Sequence, residues 1–326
     1  MRYFYFVFLV IFSLSSHSQI LINKYSEISL TEPAFNNDMV KKNKIKSIKS
    51  VFLSKPDGKM IEDKGLSGVF EFDSAGRLYS FYYTNIKSFT KEEKYIPAIY
   101  KYGKKINDAY FSEQYFYQYD TTFTFLIYDA QSRIIMKRTF AGDFFNSWYY
   151  EYYENGRIKK QSNYKETNTG TSRSDFRLGV QTVLSEESFE YEQPIELQVK
   201  KKCLNDEQRV YKEVIINYDS TKNIISESHH FIVGWISIEN SYKYNSASQL
   251  TEKNYSSNAN GDTREKSVYE YDVNGNLLVE KIYKNNTLTN EINYLYDEQN
   301  KLVKSQLNRA VTEAKIDIVK YTYTYY

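Results

Sequence analysis

A seven-residue frame recurs along this chain about every 25 residues, and a chain built this way folds as many copies of one small unit. The clearest copy runs Tyr271, Asp272, Val273, Asn274, Gly275, Asn276, Leu277, and the frame returns as Phe72, Asp73, Ser74, Ala75, Gly76, Arg77, Leu78. Tyr128, Asp129 and Ile134 keep it with Ser132 at the glycine position. Tyr152, Gly156, Arg157 and Ile158 keep it with Tyr153 in place of the aspartate. Further copies are Tyr218, Asp219 and Ile224, then Tyr244, Asn245 and Leu250, then Tyr296, Asp297 and Leu302, with more degenerate starts at Tyr100 and Tyr191. Consecutive starts lie 24 to 28 residues apart, except for the 39 that separate Tyr152 from Tyr191. A degenerate turn at Lys55, Pro56, Asp57, Gly58 opens the array.

The frame has a mechanical meaning. Aspartate is favoured at the first position of a type I turn, where its side chain accepts a local backbone hydrogen bond, and glycine three residues later takes the positive φ of a bulged hairpin. The structural turn residues are then Asp73, Gly76, Asp129, Gly156, Asp219, Asp272, Gly275 and Asp297, while Lys222 and Ser248 occupy the positive-φ position without being glycine. The flanks alternate as strands do: Ser267, Tyr269 and Tyr271 fall on one face and Val268 and Glu270 on the other. After the turn, Leu277 and Val279 alternate with Leu278 and Glu280. One period holds two strands and two turns, so ten units predict about twenty antiparallel strands. The fold class expected is all-β, an antiparallel β-hairpin repeat array forming a long twisted or coiled sheet, because open sheets of more than about ten strands curl.

The repeat domain spans 46–326, with the long interval read as an enlarged loop over 165–180. Residues 19–45 form an N-terminal segment. The Lys-rich stretch Lys41 to Lys49, with Ile45 and Ile48 inside it, suits a charged cap on an open sheet edge. Residues 1–18 have the layout of a secretory signal peptide: Arg2, an apolar run from Tyr3 to Leu14, then the small residues Ser16 and Ser18 ahead of Gln19. Export places the protein in the periplasm, at the cell surface or in the medium. No later stretch is long and apolar enough for a transmembrane helix. Cys203 is the only cysteine, so no internal disulfide is available and packing must hold the fold. With 43 Lys and Arg against 41 Asp and Glu, no field of one sign is available for nucleic acid.

The frame Tyr271, Asp272, Gly275, Leu277 resembles the YD repeat of the Rhs family, whose members build long β-hairpin spirals forming shells or surface filaments. The resemblance covers about residues 54–326. The segment Tyr152, Tyr153, Glu154, Asn155, Gly156, Arg157, Ile158, Lys159 is also similar to the MORN-type repeat of bacterial antitoxin-like proteins. The first resemblance implies an exported, non-catalytic β-repeat protein that contacts carbohydrate or a partner protein at the cell surface. It carries over no catalytic residue, since neither motif contains one.

A search for chemistry agrees. His229 and His230 are the only histidines after the signal, adjacent in an apparent strand, so their side chains leave on opposite faces and cannot share a metal ion. No G-x-S-x-G elbow, phosphate-binding loop or dinucleotide fingerprint occurs. No catalytic residue, cofactor or metal is therefore assigned, although the oxygen-rich run Asp272, Asn274, Asn276 contains part of a calcium ligand set. Aromatic residues are the better lead: 34 Tyr and 20 Phe, with Tyr82, Tyr115, Tyr117, Trp148 and Tyr150 as candidate ligand contacts. The function expected is a surface or secreted binding, adhesion or structural module. The alternatives are an outer-membrane β-barrel, against which strands such as Leu278 to Lys284 carry Glu and Lys on both faces, and a secreted enzyme acting on polysaccharide.

Overall fold

The computed structural model describes residues 21–22, 34–140, 144–171, 175–259, 261–298 and 302–326. The expected signal peptide therefore lies outside the described residues. The chain opens with β1 (Leu21–Ile22), β2 (Ala34–Phe35) and α1 (Asn37–Lys42), followed by β3 (Ile45–Pro56), β4 (Glu62–Phe72) and β5 (Leu78–Ile96). A small hairpin of β6 (Ile99–Lys101) and β7 (Lys104–Asn107) leads into β8 (Tyr110–Tyr128), β9 (Ile134–Phe140), β10 (Phe145–Tyr152), β11 (Ile158–Asn168) and β12 (Leu178–Ile195). Then come β13 (Gln198–Leu204), β14 (Val210–Tyr218), β15 (Ile224–Phe231), β16 (Ser237–Tyr244) and β17 (Leu250–Ser257). The last strands are β18 (Thr263–Tyr271), β19 (Leu277–Lys284), β20 (Thr287–Tyr296), β21 (Val303–Ala310) and β22 (Lys315–Tyr325).

Apart from β1, β2, β6 and β7, these strands form one closed antiparallel barrel of 18 strands. The all-β hairpin array is as expected; the open, coiled sheet is not. The seam is β22 on β3, in register from Tyr325↔Ile45 to Lys315↔Pro56. Closure removes the lateral edges that an open array must protect. The stretch Lys41 to Lys49 therefore caps no edge: β3 is paired on both sides, and α1 packs at the barrel end instead. Asn36 caps α1 by accepting from the Asp38 and Met39 amides, and Phe35 sits 4.8 Å from the Phe70 ring and 5.4 Å from that of Phe72. The enlarged loop expected over 165–180 is trimmed at both ends, since β11 runs to Asn168 and β12 begins at Leu178, and residues 172–174 lie outside the described residues.

All the clear frame turns fall at one end of the barrel, because each period contributes one turn to each end. The backbone of each turn closes as expected: in the clearest copy the Asp272 amide donates to the Asn276 carbonyl and the Gly275 amide to the Asp272 carbonyl. The position three residues after the aspartate has positive φ in Gly76 (80°), Ser132 (63°), Gly156 (84°), Lys222 (68°), Ser248 (58°) and Gly275 (84°). Lys222→Gly is expected to stabilise the protein by about 0.5–1 kcal/mol, read as a raised urea midpoint, because glycine adopts this conformation without strain. Two weaker starts are corrected. Tyr100 lies in β6, in the connection at the opposite end, and Tyr191 lies inside β12 with no frame turn after it.

Cross-strand partners share a face. The row Tyr323, Ile48, Phe70, Phe81, Thr124 marks the inner face, which carries the main core cluster of Tyr, Leu, Ile and Phe near the frame turns. Farther from the turns the inner wall becomes polar, with Lys253, Glu265, Asn290 and Asn308. A β-bulge follows every frame turn. Tyr271 pairs with Leu277 but Glu270 pairs with Val279, so Leu278 is the extra residue. That slip turns Val279 outward and Glu280 inward, reversing the alternation expected after Leu277.

Candidate functional site

The frame tyrosines have a role that composition alone does not show. The β17·β18 ladder stops at Glu252↔Val268, two residues short of Leu250, so the Leu250 carbonyl has no strand partner there. The Tyr271 hydroxyl donates to that carbonyl at 2.7 Å. The device repeats around the barrel: Tyr128 to Leu78, Tyr152 to Ile134, Tyr244 to Ile224, Tyr296 to Leu277 and Tyr323 to Val303. Tyr191, which has no frame turn, still donates to the Ile158 carbonyl. Where the residue before the aliphatic is arginine, it stacks on the next tyrosine, as Arg77 on Tyr128, Arg133 on Tyr152 and Arg157 on Tyr191. Tyr271→Phe keeps the ring but leaves a carbonyl unsatisfied, so a loss of about 1–2 kcal/mol in urea unfolding is expected.

The turn carboxylates are occupied by this architecture. Asp272 Oδ1 accepts from the Asn274 and Asn276 amides, and its Oδ2 accepts from the Asn276 side chain. Burial alone raises the Asp272 carboxyl, but these hydrogen bonds outweigh it and hold the group below the usual aspartate range. The run Asp272, Asn274, Asn276 thus offers Asp272 a ring of donors, the wrong polarity for calcium. Asp73, Asp129 and Asp219 accept from turn amides in the same way. The Asp297 amide donates to the Leu302 carbonyl, one residue farther on than in the other copies, so Val303 and not Leu302 pairs with Tyr296.

The candidate ligand aromatics separate into two groups. Tyr82, Tyr115 and Tyr117 lie on the outward face of the β5–β8 hairpin, which continues to Ile96↔Tyr110, well beyond its neighbours β4 and β9. There Tyr82 meets Phe123 at 5.3 Å, Phe89 meets Tyr115 at 5.8 Å, and Tyr95 meets Phe111 at 5.4 Å. Phe89, Tyr95 and Phe111 are more than half exposed. Lys91, held between Glu93 and Glu113, interrupts the stripe. Trp148 and Tyr150 are not part of it. They face inward from β10, Trp148 opposite Lys137, and Tyr150 is buried. Cys203 is buried in a second inner cluster with Phe189 and Val214. His229 and His230 do point to opposite faces, His229 pairing with Val214 and His230 with Glu213.

The outer wall divides into two arcs. From β22 through β3 to β8 it presents Ile318, Val51, Val69, Tyr82, Phe123 and Phe125, interleaved with Lys320, Lys49 and Glu71. From β12 to β19 it carries cross-strand ion pairs instead, including Lys200 with Glu213, Lys281 with Glu270, and Glu252 between Lys243 and Lys266. Between the arcs lies a buried polar knot on the outer side of β9, β10 and β11. Glu166, fully buried, accepts from Arg138, Ser147, Tyr149 and Gln181, and Phe176 covers the Arg138 guanidinium at 3.9 Å.

Among the described residues no group of three His, Cys, Asp or Glu side chains is placed to hold a metal ion. Nor is any helix long and apolar enough to cross a membrane, which says nothing about crossing by strands. Closure overturns the expected binding or adhesion module, an open array presenting its sheet, because the tyrosine-rich face that repeats along the chain is turned into the barrel interior.

No protein-family model matches the chain, and no curated protein does. Among solved structures it is similar to a porin-like protein from Bacteroides uniformis, at 9% identity over 86% of this chain and 98% of that one, with a TM-score of 0.34. A porin-like protein from Bacteroides vulgatus is similar at 10% identity over 62% of this chain and 94% of that one, with a TM-score of 0.29. In the Photorhabdus luminescens Tc holotoxin pore the likeness is 15% identity over 76% of this chain and 13% of that one, with a TM-score of 0.27. All three are distant likenesses in strand arrangement, and none assigns a role to any residue here.

Proposed function

We propose that this chain is a β-barrel of the outer membrane, reached through the export signal at residues 1–18. The closure carries the reading: 18 antiparallel strands, an even number, leave no lateral edge, and closed barrels are the one all-β architecture that satisfies its backbone within a bilayer. The apolar and aromatic residues of the outer arc, and the polar inner wall away from the frame turns, support it. The reading assigns no catalytic group. It is tested by extracting membranes of producing cells: the protein is expected to resist high salt and alkaline carbonate, to enter solution only with detergent, and to migrate faster on gels unboiled than boiled. Release of folded protein without detergent overturns it.

The ion-paired outer arc favours a second reading, in which the barrel rests on the membrane by its aromatic arc and leaves β12–β19 in water. Release by alkaline carbonate of a protein that rebinds protein-free lipid vesicles selects it over spanning.

A further inference from the structure

We infer that the barrel is sealed across its interior beside the frame turns, so that it is a chamber open at one end and not a channel. An 18-strand wall of round cross-section encloses an aqueous channel, which leaves the tips of inward side chains wet. This wall does not. In the clear copies of the frame the residue two places before the first aromatic points inward. Phe70, Leu126, Tyr150, Ile216, Tyr242 and Tyr294 hold that place on β4, β8, β10, β14, β16 and β20, and they are only 0–9% exposed.

These strands are spread around the whole circumference. Neighbours along the wall cover the flanks of an inward side chain, but its tip is covered only from across the interior or by a segment lying within it. The wall is therefore flattened at this level, and its two sides pack as facing sheets do, about 10 Å apart. Phe35 of β2 adds to the layer from the N-terminal segment, 4.8 Å from the Phe70 ring. The tyrosine hydroxyls of the layer are met by side chains of the wall: Tyr242 donates to Glu227 at 2.9 Å, Tyr294 to Glu280 at 3.2 Å and Tyr321 to Gln306 at 3.0 Å. Burying these rings therefore strands no hydroxyl.

Farther from the frame turns the interior is of another kind. Lys253 and Glu265 are exposed on the inner wall, and Asn290 and Asn308 are half-buried there. A polar solute entering at the end remote from the frame turns reaches this level and goes no farther. The seal does not depend on whether the barrel spans a membrane; the block to passage rests on that reading.

Hydroxyl-radical footprinting of the full-length wild-type protein in mild detergent tests the seal. Tyr242 and Tyr294 are expected to oxidise about tenfold more slowly than Tyr255, which faces inward from β17 farther from the frame turns and is half-buried. A difference of less than about threefold overturns the seal, since a packed layer excludes solvent. Passage is read in phosphatidylcholine vesicles loaded with potassium chloride, scoring only protein that alkaline carbonate leaves in the vesicles. Potassium is expected to leak no faster than from protein-free vesicles, and a leak that rises with the amount of inserted protein overturns the inference. Protein that does not stay in the vesicles counts against the membrane reading alone, and the footprint still decides the seal.

Discussion

Glu166→Ala is expected to destabilise the folded barrel by about 3–5 kcal/mol, the range for breaking a buried ion pair from one side. The magnitude follows from what remains. Arg138, which is only 13% exposed in its side chain, loses the carboxylate 2.8 Å away, and Ser147, Tyr149 and Gln181 lose their acceptor at once. Phe176 still covers the site, so water has little access to the orphaned guanidinium. Urea unfolding followed by Trp148 fluorescence checks the value. A loss under about 1 kcal/mol would mean that the knot is solvated and contributes as an ordinary surface pair does.

The second large effect separates two glycines that look alike in sequence. Gly76 and Gly156 hold the same frame position and the same left-handed conformation, at φ 80° and 84°. A methyl group on Gly156 meets nothing within 4 Å, so Gly156→Ala is expected to lose only the conformational strain, about 1–2 kcal/mol. On Gly76 the same methyl lands 2.4 Å from the Asn37 carbonyl oxygen and 2.9 Å from the Lys41 amide nitrogen. Those are backbone atoms of the short helix segment, which must move as a body. Gly76→Ala is therefore expected to lose about 3–4 kcal/mol, strain and overpacking together. Equal urea midpoints for the two variants would show that α1 does not press on this turn.

The local chemistry of the frame was readable from residue order, because a turn of five residues is decided by those five residues. Asp272, Gly275 and the positive φ of Lys222 and Ser248 follow from side-chain reach and steric limits that need no distant partner. The pairing of β22 with β3 joins segments some 270 residues apart, and no repeat unit records it. Whether a strip of hairpins coils or meets its own start depends on accumulated twist and stagger, which are properties of the whole wall. The bulge at Leu278 was hidden for a different reason. An aliphatic residue fits either face of a period-two pattern, so the run Leu277, Leu278, Val279 does not reveal where the slip occurs. The same ambiguity misplaced Trp148 and Tyr150: consecutive aromatics in a strand show that both faces are used, not which ring points inward. The long hairpin bearing Tyr82, Tyr115 and Tyr117 was visible as a cluster of rings, while its height above β4 and β9 depends on where its neighbours end.

The seam also limits how such a wall can change in girth. β22 meets β3 head to tail only while the count of strands is even, and each period of the frame adds or removes two. Duplication or loss of one unit therefore leaves the meeting strands antiparallel and each remaining tyrosine beside a carbonyl to bind, so circumference can drift in steps of two strands while the joint itself stays as it is.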